Sequence, residues 1–393
     1  MKARTRTVLA AALVLGLAGG PSVLPATAGT PAADAPVAAL PSGPDAAALR
    51  AVIDAVRDPA TARATAALVR VGGDGQWRGS AGVHDLRTGR PADPAGRFWA
   101  GSVTKVFTAA TVLQLAEERR IDLDRTARSY LPDLIPATYE GVTVRQLLNH
   151  TSGIPAPDFE GDDVIDWYEN RFDLHDPRDM VRSATSKPRE FPPGEQQHYL
   201  NIGYTIAGLL IERVTGDTYE NQVARRILRP LALRDTSYPG SDPRIHGRHN
   251  HGYQVFASAD GAEELRDVSV WGATDAWAAG DLISTTADLE RFTRALFDGR
   301  VVRGPLLEEM FTVPRVERGT AHYSVGLTRW QLGGREVWGK TGGRWGYNSG
   351  MGGTRDLSRT LAYSVNSTDA KGRDANPVVM DIIVATFGAP DGQ

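Results

Sequence analysis

Residues 101–118 read GSVTKVFTAATVLQLAEE. Ser102 and Lys105 stand three positions apart, and at helical spacing their side chains share a face one turn apart. Val106, Ala109, Ala110 and Leu113 continue the pattern as one apolar face, which predicts a helix. A serine hydroxyl is a weak nucleophile until a base takes its proton. A lysine in a dry pocket among other cations can lose its own proton and become that base. The first turn also carries the positive end of the helix dipole, which favours developing negative charge. The plainer account is a capping serine and a solvated lysine. Composition alone gives roughly 0.2 such pairs per chain of this kind, so the motif needs company. It is the one S-x-x-K in the sequence.

Company comes from the scarcity of lysine. The 393 residues hold five, at Lys2, Lys105, Lys187, Lys340 and Lys371; every other Lys/Arg position is Arg. Lys can give up a proton where Arg cannot, so a retained Lys asks for a reason. Lys340 opens Lys340-Thr341-Gly342-Gly343 at the end of a strand-like run, Glu336 to Gly339. Glycine there lets a ligand approach the strand edge, whose N–H and C=O groups can hold an extended substrate. Arg87-Thr88-Gly89 is a near copy, read as a plain turn. Tyr199-Leu200-Asn201 supplies a phenol that can relay a proton and an amide that can hold a substrate amide. Tyr168-Glu169-Asn170 and Tyr219-Glu220-Asn221 share the pattern. Tyr199 is preferred because Phe191-Pro192-Pro193-Gly194 stiffens the loop before it and an apolar helix follows; Tyr219 reads as a helix-surface residue.

These three motifs, in this order, resemble the penicillin-recognising serine hydrolases, in the branch of the actinomycete D-alanyl-D-alanine carboxypeptidases and class C β-lactamases. The likeness runs over roughly residues 47–388 and includes VTVRQLLNHTSG, YTIAGLLIERVTG and LISTTADLERF. It implies an α+β fold of the serine β-lactamase/transpeptidase type: a five-stranded antiparallel sheet flanked by helices, plus an all-helical lobe inserted at about 103–275. It implies roles as well. Ser102 would be acylated, with Lys105 as base and Tyr199 as proton shuttle. Asn201 would bind a substrate amide, Lys340 would supply charge and Thr341 would touch a substrate carboxylate. The N–H groups of Ser102 and Gly343 would form the oxyanion hole, beside Gly342. No cofactor or metal is implied. The expected partner is a small peptide, ester or β-lactam, and the expected state a monomer. The leading activity is a D-alanyl-D-alanine carboxypeptidase or related D-peptidase; a β-lactamase, esterase or amidase is the alternative, and a binding module without turnover the remoter one. The sequence also departs from the carboxypeptidases. They carry His where Lys340 stands, and the Arg that grips the substrate's terminal carboxylate is replaced near Thr328, with Arg329 beside it. The class A motif E-x-x-L-N is absent.

The coarse order fits an α+β chain independently. Asp45–Val56 reads as a helix. Ala66–Val71 and Trp77–His84 read as paired strands. A long helical block follows. After residue 320 come strand-like runs at Tyr323–Gln331, Glu336–Thr341, Tyr347–Gly353 and Thr360–Asn366, then a closing helix at Val378–Phe387. Strands on both sides of a helical block suggest one sheet built from both ends of the chain.

At the N-terminus, basic Met1–Arg6, apolar Val8–Ala18 and the small-x-small Ala26-Thr27-Ala28 follow the order of a signal peptide over residues 1–28, and residues 29–46 read as a loose leader. An apolar run of about eleven residues is short of the roughly 20 that a membrane helix needs. Secretion is therefore the expectation, with no membrane span. The formal charge of −3 becomes −6 when the leader takes Lys2, Arg4 and Arg6 with it. That balance argues against nucleic acid as a partner. With no cysteine, disulfides, thiolate metal sites and a Cys nucleophile are all excluded. No G-x-S-x-G surrounds any serine, so a nucleophile elbow is unsupported. His246, His249 and His251 cluster in a Gly/Pro/Arg-rich loop without a zinc motif, and a solvated loop explains them better than a metal. His150 reads as a structural hydrogen-bonder.

Overall fold

The computed structural model describes residues 43–159, 164–257, 262–372 and 374–389. The expected signal segment 1–28, and the leader up to residue 42, lie outside the described residues. Helix α1 (Ala46–Asp54) starts where Asp45 accepts from the N–H groups of Ala47 and Ala48, each at 3.0 Å. Strands β1 (Ala64–Gly73) and β2 (Trp77–Gly82) follow. Strands β3 (Thr328–Leu332), β4 (Arg335–Arg344), β5 (Tyr347–Thr354) and β6 (Arg359–Ser367) come from the other end of the chain. They join as one antiparallel sheet in the order β2-β1-β6-β5-β4-β3.

The sheet therefore has six strands, not the five that the resemblance implies. All six correspond to runs visible in the sequence. The run from Tyr323 is shorter than expected, because the Tyr323 N–H and C=O bond the side chain of Gln197 instead of a neighbouring strand. Every residue of β6 is buried, since both faces of the sheet are covered. On one face, Leu49 and Ile53 of α1 meet Val69, Val365 and Ile382, the last from helix α5 (Pro377–Phe387). On the other lie helices α2 (Thr104–Glu117) and α4 (Thr286–Phe297), in the main core.

Helix α2 is not amphipathic as expected. It is buried from Thr104 to Leu113 on every side, wedged between the sheet and the helical lobe. Its threonines tolerate this because their hydroxyls bond backbone carbonyls: Thr104 to Gly101, Thr108 to Thr104 and Thr111 to Phe107. Helix α3 (Ile202–Thr215) packs beside it and ends at Gly216, whose φ of 69° provides the left-handed cap. The inserted lobe is not wholly helical, for it carries a hairpin of Tyr253–Ala257 with Glu263–Asp267. Among the described residues, no helix is long and apolar enough to cross a membrane.

Candidate active site

Ser102 sits in the 3-10 turn Gly101–Val103 that leads into α2. Strand β4 holds this turn from outside. Ser349 of β5 donates to Ala100 O at 2.8 Å, and β4 lies so close that any Cβ on Gly342 would overlap that same oxygen. Gly342 is glycine because the strand must touch the turn that carries Ser102. A Cβ on Gly101 would likewise stand 2.7 Å from Gly343 N.

One turn into α2, Lys105 is wholly buried. Its Nζ is 3.2 Å from Ser102 Oγ, 2.7 Å from Asn201 Oδ1 and 2.8 Å from Ala279 O. Burial pushes its pKa well below the lysine range, and Lys340 and Lys371 push it further. Asn201 precedes α3 but does not cap it with its side chain, which is turned on Lys105.

Tyr199 arrives on a fixed loop. Gln197 donates to Asn149 O and Tyr323 O and accepts from the N–H groups of His322 and Tyr323, so one side chain ties three segments together. The Tyr199 ring then lies between two lysine side chains, with Lys105 Nζ 4.9 Å and Lys340 Nζ 4.7 Å from its centre. The rings of His150 and Tyr323 flank it at 4.4 and 4.9 Å. Burial raises the Tyr199 pKa well above that of an ordinary phenol; the Ser102 hydroxyl facing it opposes the rise. Among the described residues, its buried oxygen has no partner in hydrogen-bonding geometry. At neutral pH the group beside the serine is thus a phenol. Lys340 is buried, donates to Thr341 O at 2.9 Å and is pulled by burial to about 7.

Ser102, Tyr199, Asn201, Lys340, Thr341, Gly342 and Gly343 line one cavity, with Lys105 behind the serine. Of the alternatives, Tyr219 is buried, not at the helix surface, and bonds Thr108 and Tyr238. Arg87-Thr88-Gly89 is a turn closed on Asp85. Thr328 and Arg329 pair regularly with Gly339 and Trp338, and neither residue lines the cavity. His150 is buried, its carbonyl accepting from His198 N at 2.9 Å. His246 is held by Asp242, while His249 stacks on His251. Among the described residues, no group of three His, Cys, Asp or Glu is placed to hold a metal.

Sequence reasoning missed half of the cavity wall. Phe159, Val164, Trp167, Met180 and Trp345 make it apolar and aromatic. Arg344 binds both oxygens of Asp275, at 2.9 and 3.0 Å, and Gly272 O at 2.8 Å. Lys371 is there too. The scarcity of lysine was a signal for Lys371; the aromatic residues, spread over separate loops, gave none.

The beta-lactamase family model matches residues 49–384. Penicillin-binding protein 4* of Bacillus subtilis (strain 168) is 28% identical over 320 residues, which cover 77% of this chain and 68% of that protein. Among solved structures, a D-stereospecific amidohydrolase from Streptomyces sp. is similar with a TM-score of 0.75 and 33% identity, covering 88% of this chain and 99% of that one. A D-amino acid amidase from Ochrobactrum anthropi SV3, complexed with L-phenylalanine amide, gives 0.70 and 25%, covering 86% and 97%.

Proposed function

Because the chain belongs to the beta-lactamase family and is a serine hydrolase of the penicillin-binding fold, we propose that it hydrolyses the amide bond that follows a D-residue with a bulky apolar side chain, through an acyl-enzyme on Ser102. The observation that carries this reading is the wholly buried Lys105 Nζ at 3.2 Å from Ser102 Oγ. Neutral Lys105 takes the serine proton as Oγ attacks the substrate carbonyl. The oxyanion falls to the N–H groups of Ser102 and Gly343. The proton passes through the Tyr199 phenol to the leaving amine, whose C–N bond breaks. Water then repeats the sequence on the ester and frees Ser102.

The apolar wall of Phe159, Val164, Trp167, Met180 and Trp345 supports a large side chain on the acyl group. The Streptomyces and Ochrobactrum neighbours support an amide of D configuration. A carboxypeptidase acting on D-alanyl-D-alanine is the second reading, favoured by Lys340 and Thr341 at the strand edge. With the leader at 1–28, we place the enzyme outside the cell.

The test is a panel of D- and L-phenylalanine amide, a D-Ala-D-Ala peptide, a cephalosporin and a nitrophenyl ester, alongside fluorophosphonate labelling. D-Phe amide should be the best amide, and Ser102→Ala should lose both turnover and label while staying folded. A label on any other residue, or preference for the L-amide, overturns the reading.

A further inference from the structure

Four lysines lie among the described residues. Lys105 lies within hydrogen-bond distance of three oxygens, Lys187 donates to Ala156 O at 2.7 Å beside Asp158 at 2.8 Å, and Lys340 donates to Thr341 O at 2.9 Å. Lys371 alone among them has no hydrogen bond or ion pair with a described residue. Yet it lines the cavity that holds Ser102, half-buried, with its Nζ 5.9 Å from the centre of a Trp345 ring. The nearby negative charge is already taken, since both oxygens of Asp275 bond Arg344. An ammonium drawn partly out of water without an acceptor is unfavourable. Burial lowers Lys371 to about 8, and Arg344 adds to the lowering against Asp275.

The segment that carries Lys371 is held on both sides. Asn348 Nδ2 donates to Ala370 O at 3.3 Å, Gly372 N to Asp369 O at 2.7 Å, and Asn376 Nδ2 to Asp369 Oδ1 at 3.2 Å. Such a loop presents its side chain in a set place, which lowers the cost of binding. Ala370 O lies against Gly343, where a Cβ would meet it at 3.3 Å. Lys340 is elsewhere, its ammonium among the rings of Tyr199 and Tyr323. The cavity thus has a second cation, on the Trp345 side of Ser102, and no described residue pairs with it.

We propose that Lys371 is a substrate-binding residue that takes a carboxylate of the substrate, so that the enzyme prefers acid-bearing amides and peptides to their neutral counterparts. The turnover arm of the test rests on the acyl-enzyme reading above; the binding arm does not. The acid could sit on the acyl side or on the leaving group, and two probe pairs separate these sources. N-succinyl- against N-acetyl-D-phenylalanine p-nitroanilide reads the first. D-Phe-D-Ala against its C-terminal amide reads the second.

For each pair, the ratio of kcat/KM is measured in the wild type, Lys371→Met and Lys371→Arg. The same ratio is read as Kd by calorimetry on the Ser102→Ala protein with and without each Lys371 substitution. A hydrogen bond to a charged group predicts a preference of ~10-fold or more for the acid in one pair. Lys371→Met should abolish it and Lys371→Arg should keep most of it. Ratios within two-fold in both wild-type pairs, or a preference that survives Lys371→Met, overturn the proposal. If Ser102 fails to label but the binding preference still depends on Lys371, the catalytic reading falls and this one stands.

Discussion

Asp275→Ala should damage both stability and chemistry, and the size follows from the geometry. Arg344 is 6% exposed and Asp275 20%, and they share two charge-assisted hydrogen bonds. Burial alone would raise the Asp275 pKa, but Arg344 outweighs it and the carboxyl ends below its ordinary value. Removing Asp275 leaves a buried guanidinium with Gly272 O as its remaining acceptor. Stranding one member of such a pair costs about 3–5 kcal/mol. At ~2.1 cal/mol/K per residue over ~340 residues, Tm should fall by about 4–7 °C. The fifth of Asp275 that touches water favours the lower end. Chemistry should suffer because the pair joins Arg344, next to Gly343, to the segment that leads to Ala279, whose carbonyl holds Lys105. We expect the rate of fluorophosphonate labelling to fall about ten-fold, as small misplacements of a catalytic group cost this much or more. The rescue is Asp275→Leu with Arg344→Met, since apolar replacement of a buried pair is often neutral. Scanning calorimetry and labelling kinetics on Asp275→Ala, Asp275→Leu, Arg344→Met and the double variant make the assay. A single variant within 1 °C of wild type, or a double variant as unstable as the two singles added, refutes the reasoning.

Lys105→Arg should slow acylation by ~10²–10⁴-fold, as badly as Lys105→Ala, because Arg cannot deprotonate; stopped-flow labelling in which Arg restores most of the rate would leave Lys105 acting through charge alone. Lys340, pulled to about 7, is charged below that pH and neutral above it. kcat/KM for neutral substrates should therefore decline as pH rises through 7, and Lys340→Arg should flatten that limb. The stability term has the opposite sign: the unfolded lysine titrates near ~10.4, so the unfolded state binds the extra proton in between and stability rises with pH over that window. Gly342→Ala should push β4 off the serine turn, costing ~1–3 kcal/mol and most of the labelling, whereas a Cβ on Gly343 meets nothing nearer than Ala370 O at 3.3 Å and should leave Tm within ~1 °C.

Legibility in the sequence follows where physics forces a pattern. Ser102 and Lys105 meet because three positions are one helical turn. The six strands were readable because β-branched and aromatic runs alternate with glycine turns. Helix α2 misled, since its threonines look solvated and are instead satisfied by the helix's own carbonyls. Tyr323 misled because its backbone bonds a side chain 126 positions away. Asp275, Arg344 and the aromatic wall come from loops without period, so only tertiary structure brings them together.

The sheet closes across the whole chain. Thr65 donates to Asn366 O, 301 positions on, and β1 lies between β2 and β6. Until β6 leaves the ribosome, the β1–β2 hairpin has no third strand, and a lone hairpin is marginal in water. Helices α2 and α3 leave the ribosome before the strand that carries Lys340-Thr341-Gly342 and are free to form first. Refolding should therefore show a helical signal well before Ser102 becomes reactive, because pairing this distant is slow. Late closure means that the hydrolase becomes active only after its final strand has docked.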